Sequence, residues 1–225
     1  MSEGGDHKNR VREYFDEDAA RYASQRYGAD YRDCHQYSYI TRKRHVMKLL
    51  NIEGGRILDL GCGSGTYTRE LLDRSFTIWG VDFSSRMIEM ARSTFEEEVR
   101  SGLVTFQVGD VVGMDFDENF FDAAICIGVI SYIPDLSAFL SNLVRVVKPD
   151  GIVIFQFSRR YSPKAIHELL VLPVLGRLKR FVGEGGGDSG WDFPLFRYAI
   201  ESFNSLCSEH HFALEAGIHF DYTFP

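Results

Sequence analysis

The chain has 225 residues, 44% of them hydrophobic and 25% charged, with a formal net charge of −7. That size and balance suit one large globular domain with its own core, or a domain with an appended lid. The acidic excess argues against a broadly basic nucleic-acid surface, and no apolar run reaches the roughly 18 residues that a membrane-spanning helix needs. The four cysteines, Cys34, Cys62, Cys126 and Cys207, form no Cys-x-x-Cys pair. Neither a metal site nor a redox pair is therefore expected, and a reducing cytoplasm is the expected compartment. The start, Met1 to Asp6, is polar and lacks the apolar core of a signal peptide.

In chain order, residues 1–10 read as frayed. Over 11–50, Val11, Tyr14, Phe15 and Tyr22, and later Ile40, Val46, Met47, Leu49 and Leu50, recur at helical spacing. This predicts an N-terminal helical cap over 1–50. From 51 onward, continuous apolar runs at 56–60, 76–81, 104–108, 121–127 and 151–157 alternate with amphipathic stretches at 64–74, 85–99 and 136–147. Such alternation predicts a doubly wound α/β fold, with a mostly parallel sheet covered by helices on both faces. The rhythm breaks over 158–197, an insertion after the fifth strand. It holds the apolar stretch Leu169 to Leu175, the basic cluster Arg177-Leu178-Lys179-Arg180 and the glycine run 183–187. A connection this long reads as a functional lid or a disordered loop. A helix near 197–210 and a strand near 212–222 follow.

The candidate chemistry lies at the ends of the first three strands. Ile57-Leu58-Asp59-Leu60 runs into Gly61-Cys62-Gly63-Ser64-Gly65, where glycines let the backbone turn sharply and approach a ligand. Ligands of open parallel sheets bind at such carboxyl ends. The spacing is Gly-x-Gly-x-Gly rather than the dinucleotide pattern, and no Gly-Lys-Ser/Thr follows, which excludes a P-loop. Asp59 discriminates further: its charge would repel a pyrophosphate but favour an ammonium beside a sulfonium. The loop thus favours S-adenosylmethionine over NAD. Asp82, in Val81-Asp82-Phe83, can accept from both ribose hydroxyls, and Phe83 can flank the adenine. Asp110, in Val108-Gly109-Asp110-Val111, can accept from the adenine amino group while the Val111 amide donates to the ring. Taken singly, each acid reads as a turn or helix-cap residue, as Asp82 before Ser84-Ser85 illustrates. Acids at three successive strand ends point to one cofactor.

At these positions the chain resembles the class I S-adenosylmethionine-dependent methyltransferases, of the small-molecule type with an N-terminal helical cap. Ile57 to Gly65 is similar to the family's first motif, Gly80 to Met87 to its second and Gly109-Asp110-Val111 to its third. Phe121 to Ile133 and Leu143 to Gly151 resemble its fourth-strand segment and its entry to the fifth strand. The resemblance implies a Rossmann-like methyltransferase domain over 51–225, with the lid inside it. It implies that Asp59, Gly61, Cys62, Gly63 and Gly65 contact the methionine part and that Asp82 holds the ribose. Phe83, Met87 and Gly109 belong to the same site, Asp110 and Val111 hold the adenine, and the Ile127 carbonyl receives the ammonium. Tyr14-Phe15-Asp16-x-x-Ala19-x-x-Tyr22 resembles the family's cap, so Tyr22 and Tyr27 could close over the sulfonium, with helix packing the alternative for each. Two departures stand out. Ser131-Tyr132 replaces a His pair that many relatives carry, and the chain ends at Pro225 after the first strand of the family's closing antiparallel pair.

Methyl transfer is an in-line displacement that depends mostly on holding the reactants collinear; a base is needed only if the acceptor must lose a proton. Candidates are His35, Tyr132 and His167, while His210-His211 reads as structural. A lone histidine reads equally as a packed or surface residue. The expected function is methyl transfer to a small-molecule acceptor, oxygen being the first candidate atom, with S-adenosylhomocysteine as product. A non-catalytic S-adenosylmethionine-binding sensor or partner subunit is the alternative, and an NAD oxidoreductase a third. The expected partner is a small-molecule substrate, with no nucleic acid and no stable membrane insertion; a homodimer is left open.

Overall fold

The computed structural model describes residues 3–27, 34–156, 195–196 and 198–217, with side chains at 6–20 and from 39 onward. The elements are α1 (Glu3–Tyr27), α2 (Cys34–Leu49), β1 (Gly55–Leu60), α3 (Thr68–Leu72), β2 (Phe76–Asp82), α4 (Ser85–Thr94), α5 (Glu96–Arg100) and β3 (Val104–Val108). Then come β4 (Phe121–Ile127), a 3-10 turn (Ile130–Tyr132), α6 (Leu136–Val146), β5 (Val147–Gln156) and α7 (Ile200–Glu209). The strands form one sheet in the order β3-β2-β1-β4-β5, every pair parallel. The order reverses between β1 and β4, so the crevice at their carboxyl ends, after Leu60 and Ile127, is the topological switch point where such sheets bind ligands.

Side chains alternate across a strand, and here both faces are apolar. Leu58, Leu60, Ala124 and Cys126 pack with Phe139, Leu140 and Leu143 of α6 and with Phe203 and Cys207 of α7. Ile57, Ile78, Ala123 and Ile125 pack on the other face with Val46 and Leu50 of α2 and its end, Leu71 of α3, and Ile88 and Ala91 of α4. Each fully buried aliphatic side chain contributes about 1.5–3 kcal/mol. The doubly wound α/β architecture read from the sequence is the observed one, with the described sheet wholly parallel.

Several boundaries differ for local reasons. The helix expected at 64–74 is confined to Thr68–Leu72; inside the expected span Gly65 sits at φ +85, outside right-handed helix geometry. The helix expected at 85–99 breaks at Phe95 (φ −116, ψ 39), whose buried ring packs against Phe106, centroids 6.1 Å apart. Strand β5 begins at Val147 rather than 151. It absorbs Asp150 at φ +63 as an irregularity, the register jumping from Phe121↔Val147 to Ala123↔Ile152. The fraying expected over 1–10 is not observed from residue 3 onward: α1 starts at Glu3, and His7 is 8% exposed; residues 1–2 lie outside the described residues. Residues 212–217 form no strand; the rest of the expected last strand and nearly all of 158–197 lie outside the described residues.

Candidate active site

The floor of the switch-point crevice is the glycine loop. After Asp59 the chain reverses in tight turns, with Gly61 and Cys62 donating to the Val81 carbonyl and Gly65 to that of Cys62. A Cβ on Gly61 would lie 2.1 Å from Val129 Cγ2, so only glycine lets this backbone lie under the segment that follows β4. Asp59 lies beneath the loop, 2% exposed, and its Oδ2 has no hydrogen-bond partner among the described residues. Burial, and then the nearby charge of Asp82, push its carboxyl up to about 7. A buried acid with an unused oxygen and no described cation against it fits a cationic ligand group.

At the end of β2, Asp82 accepts from Gly63 N at 2.8 Å and from Ser84 N at 2.9 Å. It therefore pins the glycine loop to the start of α4. Ser84 caps α4 by accepting from Met87 N at 3.1 Å. Beyond β3, Asp110 Oδ1 accepts from Val112 N at 2.9 Å. This loop is tied to α6, where Asn142 donates to the Val112 carbonyl and Arg145 to those of Phe116 and Met114.

The roof is α1. Asp16 Oδ1 accepts from Ser84 Oγ at 2.5 Å and from Arg86 N at 3.2 Å. Lys8 pairs with Asp110 Oδ2. His7 donates through Nε2 to the Tyr132 carbonyl at 3.3 Å, and Phe15 meets the Tyr132 ring edge-on, centroids 5.4 Å apart. Helix α1 thus touches the segments after β2, β3 and β4. Phe196, with N donating to the Ser131 carbonyl at 2.8 Å, packs edge-on against His7 at 5.4 Å.

Floor and roof enclose a cleft of about 780 Å³, counting space open to solvent. Of the residues singled out from sequence, Gly61, Gly63, Asp82, Phe83, Met87, Asp110, Val111, Ile127 and Tyr132 line it. Asp59 lies below. The Cys62 thiol is buried, donating to the Gly63 carbonyl, and a Cβ on Gly65 would meet the Phe95 ring at 2.7 Å, so both support the loop from behind. Gly109 lines an adjoining groove with Arg12 and Asp16. Backbone positions 22, 27 and 35 lie in helices, but the side chains of Tyr22, Tyr27 and His35, and all of His167, lie outside the described residues. His210 contacts Ser137 Oγ at 3.0 Å and Ser141 Oγ at 3.3 Å, a structural tie between α7 and α6.

Sequence reasoning missed Lys8 and read Val11 and Phe15 only as helix or cap residues, yet all three line the cleft from α1; it also did not single out Val112, Gly128, Val129, Ile133 and Pro134 as site residues. The spacing i, i+3, i+7 of the first three is a helical face, and it would have added Lys8 had the helix been started before residue 11. No described helix is long and apolar enough to cross a membrane.

A family model described as a methyltransferase domain matches residues 58–155, the stretch from β1 to β5. The chain is 31% identical over 194 residues to a ubiquinone/menaquinone biosynthesis C-methyltransferase (UbiE) of Citrifermentans bemidjiense, covering 78% of this chain and 81% of that protein. It is 35% identical over 115 residues to a ubiquinone biosynthesis O-methyltransferase of Alkalilimnicola ehrlichii, covering 51% and 45%. The fold is shared with magnesium protoporphyrin IX methyltransferase of Synechocystis PCC 6803, whose crystal structure holds bound S-adenosylmethionine. There the TM-score is 0.64 at 18% identity over 93% of this chain and 88% of the other. With a glycine loop, strand-end acids and a near full-length relative in agreement, the chain belongs to the class I S-adenosylmethionine-dependent methyltransferases.

Proposed function

We propose that the cleft holds S-adenosylmethionine across the switch point and that the protein methylates a small, apolar, ring-bearing acceptor. The observation that carries the cofactor placement is Asp59, buried beneath the cleft with an unused oxygen. In this reading Asp59, the glycine loop and the Ile127 carbonyl take the amino-acid end, Asp82 the ribose hydroxyls, and Asp110 and Val111 the adenine. When bound, the cofactor supplies a methyl group activated by a positively charged sulfur.

The protein's own part is to position and to exclude water. Val11 and Phe15 from the roof face Val129, Ile133 and Pro134 across the cleft, an apolar wall suited to a ring and to a site where charge is dispersed. The two relatives above are named for ubiquinone biosynthesis, which supports an acceptor of this kind. Tyr132 is the hydroxyl-bearing residue on that wall among the described residues, and in our reading it contacts the accepting atom or its proton. We further propose that residues 1–50 act as a cap, 51–225 as the methyltransferase domain and 158–197 as its lid. The packing of α1 over the cleft supports the first of these.

The test is turnover of S-adenosylmethionine with hydroxylated aromatic and prenylated quinol acceptors, followed by mass spectrometry. NMR of the product separates an ether from a ring methyl. Tight S-adenosylhomocysteine binding with no methylated product from any acceptor would replace this reading by the non-catalytic one.

A further inference from the structure

We infer that Lys8 is a cofactor-site residue: it holds Asp110 in the free protein and yields that carboxylate to the adenine amino group on binding. This rests on the reading above that Asp110 faces the adenine. Asp110 Oδ1 is already engaged by Val112 N at 2.9 Å, so Oδ2 is the oxygen left for a ligand, and the Lys8 ammonium sits on it. Both residues line the same cleft. The pairing crosses 102 residues of sequence and is made by the helix that roofs the site. Neighbouring cations on α1 are directed elsewhere, Arg10 to Asp6 at 2.6 Å and Arg12 over the Phe83 ring at 5.9 Å.

The exchange is chemically balanced without loss of a buried charge. The side chains of Lys8 and Asp110 are 36% and 33% exposed, so the released ammonium returns to water, while an amino N–H replaces it on Oδ2. A partly exposed pair of this kind is weak and salt-sensitive, which suits a contact meant to be displaced. Lys8 therefore acts as a competitor for the adenine end, and its removal tightens binding.

The experiment is calorimetric titration of the full chain with S-adenosylhomocysteine, for the wild type, Lys8→Met and Lys8→Arg, at low salt and at high salt. Lys8→Met is expected to bind about two- to fivefold more tightly at low salt, the gap closing at high salt, while Lys8→Arg keeps the wild-type constant. Unchanged or weaker binding by Lys8→Met overturns the exchange, as does a Lys8→Arg constant that moves with it. Failure of the wild type to bind at all would instead overturn the underlying cofactor reading.

Discussion

Replacing Asp59 by Asn tests the charge at the centre of the site. In the free protein the Asp59 carboxyl is pushed from 3.8 to about 7, first by burial and then by the charge of Asp82. The folded-state value lies above the unfolded one, so the associated stability is fully present below about pH 3.8 and is lost as pH rises through about 7. A rise of about three units corresponds to about 4 kcal/mol. Asn has the same shape and cannot ionise, so the free Asp59→Asn protein should melt several degrees above wild type at pH 8, by a smaller margin at pH 5, and close to it only at pH 4. Binding should move the other way. A cationic amino group needs the ionised carboxylate, so the wild type releases a proton on binding below about pH 7. Its Kd for S-adenosylhomocysteine should fall up to tenfold per pH unit from about 5.5 to 7 and then level off. Asp59→Asn should bind about 30-fold more weakly at pH 8, the equivalent of about 2 kcal/mol for a hydrogen bond to a charged group, and should lose that slope. The assays are scanning fluorimetry and calorimetric titration across pH. Wild-type affinity in Asp59→Asn, with the slope intact, would refute the placement of the cofactor's cationic end over Asp59.

Asp82→Ala removes the acceptor proposed for the ribose and also unpins Gly63 N and Ser84 N; it should weaken S-adenosylhomocysteine at least tenfold, read as loss of its thermal shift. Gly61→Ala places a Cβ 2.1 Å from Val129 Cγ2 at φ +70, and left-handed strain with overpacking should cost about 2 kcal/mol, measured by urea unfolding. Tyr132→Phe should lower kcat while leaving the Kd for S-adenosylhomocysteine within about twofold, since the ring packing with Phe15 is retained; equal loss in both would make Tyr132 a cofactor residue instead.

Much of the core fold was legible because its signals are local. A buried parallel strand needs a near-continuous apolar run, and Ile57–Leu60 and Phe121–Ile127 have one, each interrupted by a single Asp. An acid near the carboxyl end of a parallel strand marks a ligand position, and Asp59, Asp82 and Asp110 stand close to three such ends, Asp59 with the glycine loop directly after its strand. Boundaries slipped where one residue's backbone overrode the pattern, as at Phe95 and Asp150. The roof was largely hidden. Lys8 reaches Asp110 across 102 residues and His7 reaches the Tyr132 carbonyl across 125, and nothing near residues 7 and 8 in the chain announces either partner. Sequence alone thus determined the sheet, its two apolar faces and the acidic floor of the site, because backbone preference and side-chain alternation act over a few residues. Only the tertiary structure decided that α1 closes over that floor and which side chains it brings there, because those contacts depend on how distant segments pack in space.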